Sequence, residues 1–326
     1  MYKFLGKSLL FFALLVKLAV LIPSRYGVSD QSDYLAALID KHRLIDSLRT
    51  PKILFSGGSN LAFGLDSKEV EKAMGIPVVN LGLHAGLGLT FILNDLRSSI
   101  KKNDIVFLSI EYLLGEEGTE GLDQLAAHYY PPAQQFYSYH PTASIRLYLD
   151  HLHNRYINFI TCGLSRITPA ACTNDFVYTR SGFNRSGDVI NHLDKPAPRE
   201  LLGRGPLPYV YWKGIEDINR FNAYAKTINV KVFFLFPTYC LSEYNRNKKV
   251  ISQAAADLKK GLTMEILNSP TDFVYPDSLF FNTVYHLNRT GRQQRTEKLI
   301  QLIRSDARAQ ASIQFSMSVG KYGLRN

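Results

Sequence analysis

The sequence predicts an α/β fold in which a parallel sheet lies between two layers of helices. Three observations carry this. Four short apolar runs, Ile53–Phe55, Val78–Leu81, Ile105–Ile110 and Val230–Phe236, are nearly continuous rather than alternating, as expected for strands buried on both faces. Stretches with helical spacing separate them, the arrangement that parallel strands need for their crossovers. The length, 326 residues, suits one large α/β domain with a substantial insertion.

The elements follow in order. Lys3 and Lys7 precede an apolar run that reaches Ile22 and is broken only by Lys17. Counted from Phe4 it has 19 residues, close to the roughly 20 that span a bilayer as a helix. The lysines in front predict a cytoplasmic amino terminus. No small-x-small cleavage site follows, since the run ends in Ile22-Pro23-Ser24-Arg25, so the segment reads as an uncleaved anchor. The competing reading is a buried amphipathic helix, which Lys17 favours, because a mid-bilayer lysine costs about 2.5–3.5 kcal/mol. Residues 1–25 are thus expected to anchor the chain, with 26–326 outside the cytoplasmic membrane.

Ser29–Ser32 is a polar linker, and Leu35, Leu38, Ile39, Leu44, Ile45 and Leu48 mark a helix over 34–48, stopped by Pro51. Asp66-Ser67-Lys68-Glu69 opens a helix as a capping box, and Gly75 before Pro77 ends it. Further helices are expected over 91–100, 215–228, 248–267 and 290–303, with a fifth strand at Thr271–Tyr275 and a loosely held tail from Ser305. Residues from about 115 to 213 break the rhythm. Rich in Tyr, His, Pro and Arg, with a helical stretch near 143–160, they are too long for a loop and read as an insertion over the sheet edge. It is either a lid on a substrate cleft or a structural cap. Its His128, Tyr129, Tyr130 and His140 either stack on sugar rings or form the cap's own core.

Composition narrows the function. With 38 basic and 28 acidic residues the formal charge is +10, which favours anionic partners. Nucleic acid is not expected, because neither zinc-finger spacing nor an aromatic-basic RNA-binding motif is present. Cys162 and Cys172 could pair, leaving Cys240 alone, but spacing does not decide it. No Cys/His cluster has metal-ligand spacing and no nucleotide motif occurs, so no metal or cofactor is expected.

Chemistry concentrates in two places. In Ile53-Leu54-Phe55-Ser56-Gly57-Gly58-Ser59-Asn60 a buried strand runs into a glycine turn. That sets the Ser59 hydroxyl at the carboxyl edge of the sheet, where open α/β folds bind ligands. Near the other end, Asn282-Thr283-Val284-Tyr285-His286-Leu287-Asn288 precedes the last predicted helix, and its histidine could accept the serine's proton.

These blocks, together with Asn80-Leu81-Gly82 after the second strand, resemble the SGNH/GDSL hydrolase superfamily. The nearest likeness is to its membrane-anchored bacterial members around the alginate O-acetylation and D-alanyl-lipoteichoic-acid proteins. Phe55 to Gly64 is similar to that group's first block, Asp104 to Tyr112 to its third strand, and Arg292 to Leu299 to its closing helix. The likeness covers roughly 51–112 and 230–303 and leaves the insertion out.

The resemblance implies a three-layer α/β/α, flavodoxin-like domain carrying ester hydrolysis or acyl transfer. Ser59 would attack a carbonyl, and His286 would take its proton and return it to the leaving group. The amides of Ser59 or Asn60 and of Gly82, with the Asn80 side chain, would hold the oxyanion. Two departures stand out. The superfamily's aspartate three residues before the histidine is Thr283 here, next to Asn282; Asp277 or Glu111 are the other candidates for a third member. The asparagine-bearing block after the third strand reads Glu111-Tyr112. His84 falls near the expected cleft, where a packing role is the commoner one.

Two functions follow as expectations. One is a membrane-anchored esterase or O-acyltransferase on the periplasmic side of the bacterial inner membrane. It would act on an acylated or acceptor polysaccharide of the cell envelope, alongside envelope polysaccharide assembly proteins. Water as acceptor gives a deacylase, and a sugar hydroxyl gives a transferase. The other is a degenerate SGNH-like protein that binds glycan or scaffolds that assembly without chemistry.

Overall fold

The computed structural model describes residues 33–49, 51–119, 121–138, 176–196 and 198–323, with positions 6–8, 11, 14 and 17 before them. Most of the apolar run at 4–22, the helical stretch expected near 143–160, His140, Cys162 and Cys172 lie outside the described residues. Among the described residues no helix is long and apolar enough to cross a membrane.

The apolar runs form the strands predicted for them. β1 (Ile53–Gly57), β2 (Val78–Asn80) and β3 (Ile105–Ser109) are buried along their whole length. β4 (Lys231–Phe234) joins them, and β6 (Glu265–Ile266) completes the order β2-β1-β3-β4-β6. Every pairing is parallel, with Ile53 beside Val78 on one side and Ile105 on the other. A separate parallel pair joins β5 (Tyr239–Cys240) to β7 (Val274–Tyr275). The order reverses between β1 and β3, and the crevice above the carboxyl ends of such strands is where doubly wound sheets bind ligands.

Helices cover both faces. α1 (Ala37–Ser47), α4 (Gly88–Ser99), α6 (Gly214–Thr227) and α7 (Leu241–Gly261) line one side. On the other lie α3 (Ser67–Met74), α8 (Arg289–Ser305) and α9 (Ala307–Gly323). One turn, α2 (Ser59–Ala62), follows β1 directly, and α5 (Leu122–Tyr129) comes after β3. Asp66 caps α3 through the Glu69 N–H, and Gly75, at φ 70°, closes it in the left-handed conformation that glycine adopts without strain.

Three expectations need correction. The helix expected at 248–267 runs from Leu241 to Gly261. Its polar first turns precede the expected start, and in them Glu243 and Asn247 are buried, accepting the N–H groups of Gly205 and Leu207. The fifth strand of the main sheet is Glu265–Ile266 rather than the 271–275 segment, whose Val274–Tyr275 pairs with β5 instead. The tail from Ser305 is helix α9, capped by Asp306 and packed through Ala309, Ile313 and Ser316. That stripe is small and weakly apolar, so its period is faint in the sequence.

The described residues between β3 and α6 build a second apolar cluster at the carboxyl edge. Ala126, Ala127, Ala133, Phe136, Val177 and Val189 pack there with Leu35, Leu38, Phe63, Leu83 and Phe91. Tyr130 lies flat on His42, 4.4 Å between centroids at 14°, so this aromatic belongs to the packing.

Candidate functional site

The carboxyl end of β1 is pressed against that of β3. A Cβ on Gly57 would fall 1.9 Å from the Ser109 carbonyl oxygen, and one on Gly58 would fall 2.4 Å from Glu111 Oε2. No other residue fits at Gly57, where the clash is with backbone, and a side chain at Gly58 would displace the Glu111 carboxyl group; the chain then turns into α2 with half-buried Ser59 as its first residue.

Asn60 locks that turn. Its N–H donates to Glu111 Oε1 at 2.9 Å, and its Nδ2 donates to the Ser109 carbonyl at 3.0 Å. Its Oδ1 accepts from Ser109 Oγ at 3.2 Å and from Arg295 Nη2 at 3.0 Å, while its carbonyl accepts from Arg295 Nη1. Arg295, on α8, is fully buried, and burial lowers its pKa to about 10, against the pull of Tyr275 and Glu111. It therefore stays a cation at neutral pH.

At the end of β2, Asn80 Oδ1 accepts the Gly82 N–H at 2.9 Å, and Nδ2 donates to the Leu61 carbonyl and to Asp188 Oδ1. Asp188 is buried and also takes the N–H and hydroxyl of Ser67, the amide of Asn184 and a longer contact from Arg292. Asn60, Asn80 and Gly82 thus gather around the Ser59–Ala62 turn, but their donors are already engaged with protein acceptors.

Lys41 secures the same loop from below, giving its Nζ to the carbonyls of Asn80, Gly82 and Gly187 at 2.7, 3.0 and 2.6 Å. Burial lowers its pKa to about 7, with Asp188 and Asp95 opposing. Three acceptors need three N–H donors, which only the ammonium form has, so the geometry selects the charged lysine. Lys41→Met leaves three buried carbonyls without a donor and is expected to cost about 3 kcal/mol or more, read as a lower urea midpoint at unchanged slope. An unchanged midpoint would sink this account of the loop.

The histidine block closes the site from the far end of the chain. Thr283 Oγ1 accepts the N–H groups of Tyr285 and His286, bending the loop into a tight turn. His286, 6% exposed, lies flat on Phe63 at 4.0 Å and 4°, and Phe63 in turn donates its N–H to the Ser59 carbonyl. Its Nδ1 is 2.9 Å from Asn282 Oδ1. The Asn282 amide group donates to the Tyr178 hydroxyl at 2.6 Å, which orients Oδ1 toward the ring. Nδ1 must then carry the hydrogen, and Nε2 keeps its lone pair. No hydrogen bond joins His286 to Ser59 among the described residues. Burial, then the charges of His192 and His84, lower the His286 pKa to about 3, so the ring is neutral at physiological pH.

Of the candidates for a third member, Asn282 alone touches the imidazole. Thr283 shapes the backbone. Asp277 binds the N–H and hydroxyl of Ser242 and the Arg204 guanidinium, capping α7; these hold its carboxyl low although burial opposes them. Glu111 sits against Gly58 and Asn60, the residues that flank Ser59 in the chain. His84 is exposed at the rim, its Nδ1 accepting the Gly86 N–H. Buried Cys240 is a free thiol, and no group of His, Cys, Asp or Glu with metal-site geometry occurs among the described residues.

Sequence reasoning missed Lys41, Asp188, His192, Arg292 and Arg295. Two left a signal. Lys41 interrupts the stripe Leu38–Ile45 of α1, and Arg292 and Arg295 fall in register with Leu299 and Ile303 on α8. A charge inside an apolar stripe marks a buried cation with specific acceptors.

No family model and no curated protein matches the chain. Among solved structures, one described as "a putative platelet activating factor from Streptococcus pneumonia" aligns with 89% of this chain and 98% of its own length. The identity is 12% and the TM-score 0.33.

Proposed function

We propose that the chain is a serine-dependent ester hydrolase or O-acyltransferase of the SGNH type, with Ser59 as nucleophile and His286 as base. The observation that carries this reading is the Asn282–His286 hydrogen bond at 2.9 Å. It fixes the tautomer whose Nε2 can accept a proton, in a ring laid on the turn that Ser59 opens. Ser59 Oγ bonds to the acyl carbon as its proton passes to Nε2. The oxyanion then collapses, and the departing alcohol takes the proton from His286. Water regenerates the serine in a hydrolase, and a sugar hydroxyl does so in a transferase. The segment between β3 and α6, which reaches the site through Tyr178, Asp188 and His192, serves as the insertion that selects the acceptor.

An envelope or exported polysaccharide on the periplasmic side is the substrate class we favour. The net charge of +10 and the lysine-led apolar run at the amino terminus support that location. So do Phe11 and Leu14, helical and 64% and 57% exposed.

One observation favours the non-catalytic alternative: the Gly82 and Asn60 amides and the Asn80 side chain already have acceptors. A glycan-binding protein needs none of them free. Fluorophosphonate labelling of full-length protein in detergent separates the two. Labelling of wild type that is lost in Ser59→Ala and His286→Ala is the expected result. Folded wild type that never labels, yet binds glycan as well as Ser59→Ala does, would establish the alternative.

A further inference from the structure

We infer that Glu111 stands as a neutral acid beside the Ser59 turn, and that its charge governs whether Ser59 reacts. This rests on the acyl-transfer reading above. Glu111 lies two residues past β3, at the point where the strand order reverses, and is 5% exposed. Oε1 accepts the Asn60 N–H, while Oε2 is buried with no hydrogen-bond partner among the described residues. The absent Cβ of Gly58 leaves just enough room for the carboxyl group.

The groups facing it compensate a charge only in part. Arg295, from α8, directs Nη1 and Nη2 to the Asn60 carbonyl and Oδ1, leaves its buried Nε without a hydrogen-bond partner among the described residues, and forms no ion pair with Glu111. Tyr34, from the turn before α1, and Tyr285, from the histidine loop, are phenols whose own pKa values burial drives well above 10. An ionised Glu111 would hold a bare oxygen in a dry site, a state that proteins avoid by protonation. Burial accordingly raises its pKa, against the Asn60 hydrogen bond and the Arg295 charge.

Acyl transfer builds an oxyanion next to the Ser59 turn. A carboxylate against Gly58 and Asn60 repels that charge and grips the Asn60 N–H; the neutral acid adds no repulsion and accepts that N–H more weakly. Reactivity should therefore fall as pH rises through the Glu111 pKa. His286, already neutral above about pH 3, adds no rise near the usual histidine range.

The test uses full-length protein in detergent and two readouts. The first is the rate of fluorophosphonate labelling from about pH 5 to 9 in wild type and Glu111→Gln. The second is the infrared carbonyl band of a protonated carboxyl, compared between the same two proteins. We expect a wild-type rate that drops about tenfold per pH unit above its midpoint and a flat profile in Glu111→Gln. We also expect a carboxylic-acid band that persists above the ordinary glutamate range and is missing from the variant. Labelling without that band, or an alkaline drop that persists in Glu111→Gln, overturns the inference alone. The band without labelling at any pH overturns the acyl-transfer reading, and the control of Ser59 with it.

Discussion

Replacing Asn282 by alanine is expected to slow fluorophosphonate labelling of Ser59 by about a hundredfold or more, while costing only about 1 kcal/mol of stability. Asn282 is half-buried, and its side chain makes two contacts, the His286 Nδ1 at 2.9 Å and the Tyr178 hydroxyl at 2.6 Å. Without Oδ1 nothing holds the hydrogen on Nδ1, and the ring loses the tautomer in which Nε2 is a base. The backbone of the loop survives, because Thr283 and the Leu202 N–H to Asn282 carbonyl bond are untouched. Asn282→Asp should act in the opposite sense. A carboxylate beside the ring raises the His286 pKa from about 3 by roughly one to three units, stabilises the imidazolium, and speeds labelling. Equal rates in wild type and Asn282→Ala would remove Asn282 from the reaction, leaving a loop-bracing role.

Acid should destabilise the protein steeply, starting well above the carboxylate range. His286 and His192 have pKa values lowered to about 3 and about 4, each chiefly by burial. Both rings titrate near 6.5 when the chain unfolds. A base whose folded pKa is depressed contributes stability above its unfolded value and loses it as pH falls toward the folded one. Between pH 6.5 and 4 the loss is about 3 kcal/mol for either ring. The two disfavour each other's charging, so their protons are coupled and the losses do not simply add. Against a typical domain stability of about 5–15 kcal/mol this is a large fraction. Glu111 works in the opposite direction, since its raised pKa returns stability as pH falls toward the ordinary glutamate range. The melting temperature should drop as pH is lowered below 6.5, and more gently in His192→Gln and His286→Gln. An identical slope in both variants and wild type would mean that neither ring is charged by unfolding.

The strands were legible because burial on two faces writes itself as an unbroken apolar run. Ile53–Phe55 and Ile105–Ile110 could hardly be anything else, and Ser59 followed from the glycine pair after the first. Asn282 was legible only as one of four candidates, because a hydrogen bond between loop side chains leaves no periodic trace. The misplaced elements share a different cause. Glu243 and Asn247 are polar residues buried through tertiary partners some forty positions away, and α9 packs through Ala309, Ile313 and Ser316. Local propensity and hydropathy are blind to both. Asp188 is the clearest case. It sits in a stretch without rhythm, yet it binds Asn80, Ser67 and Asn184 because the chain returns there from 108 residues away.

The grip of Arg295 on Asn60 spans 235 positions, and that of Arg292 on the Leu65 carbonyl spans 227. During synthesis, at about 5–20 residues per second, Ser59 therefore leaves the ribosome roughly 10–50 s before the arginine that will clamp its turn. Through that interval the nascent serine hangs on a glycine-rich segment with neither His286 nor Arg295 to act on it. On the proposed reading the Ser59 turn is armed last, after nearly the whole chain has been made. A fragment that stops short of α8 should consequently carry an inert Ser59, however well its first strands pair.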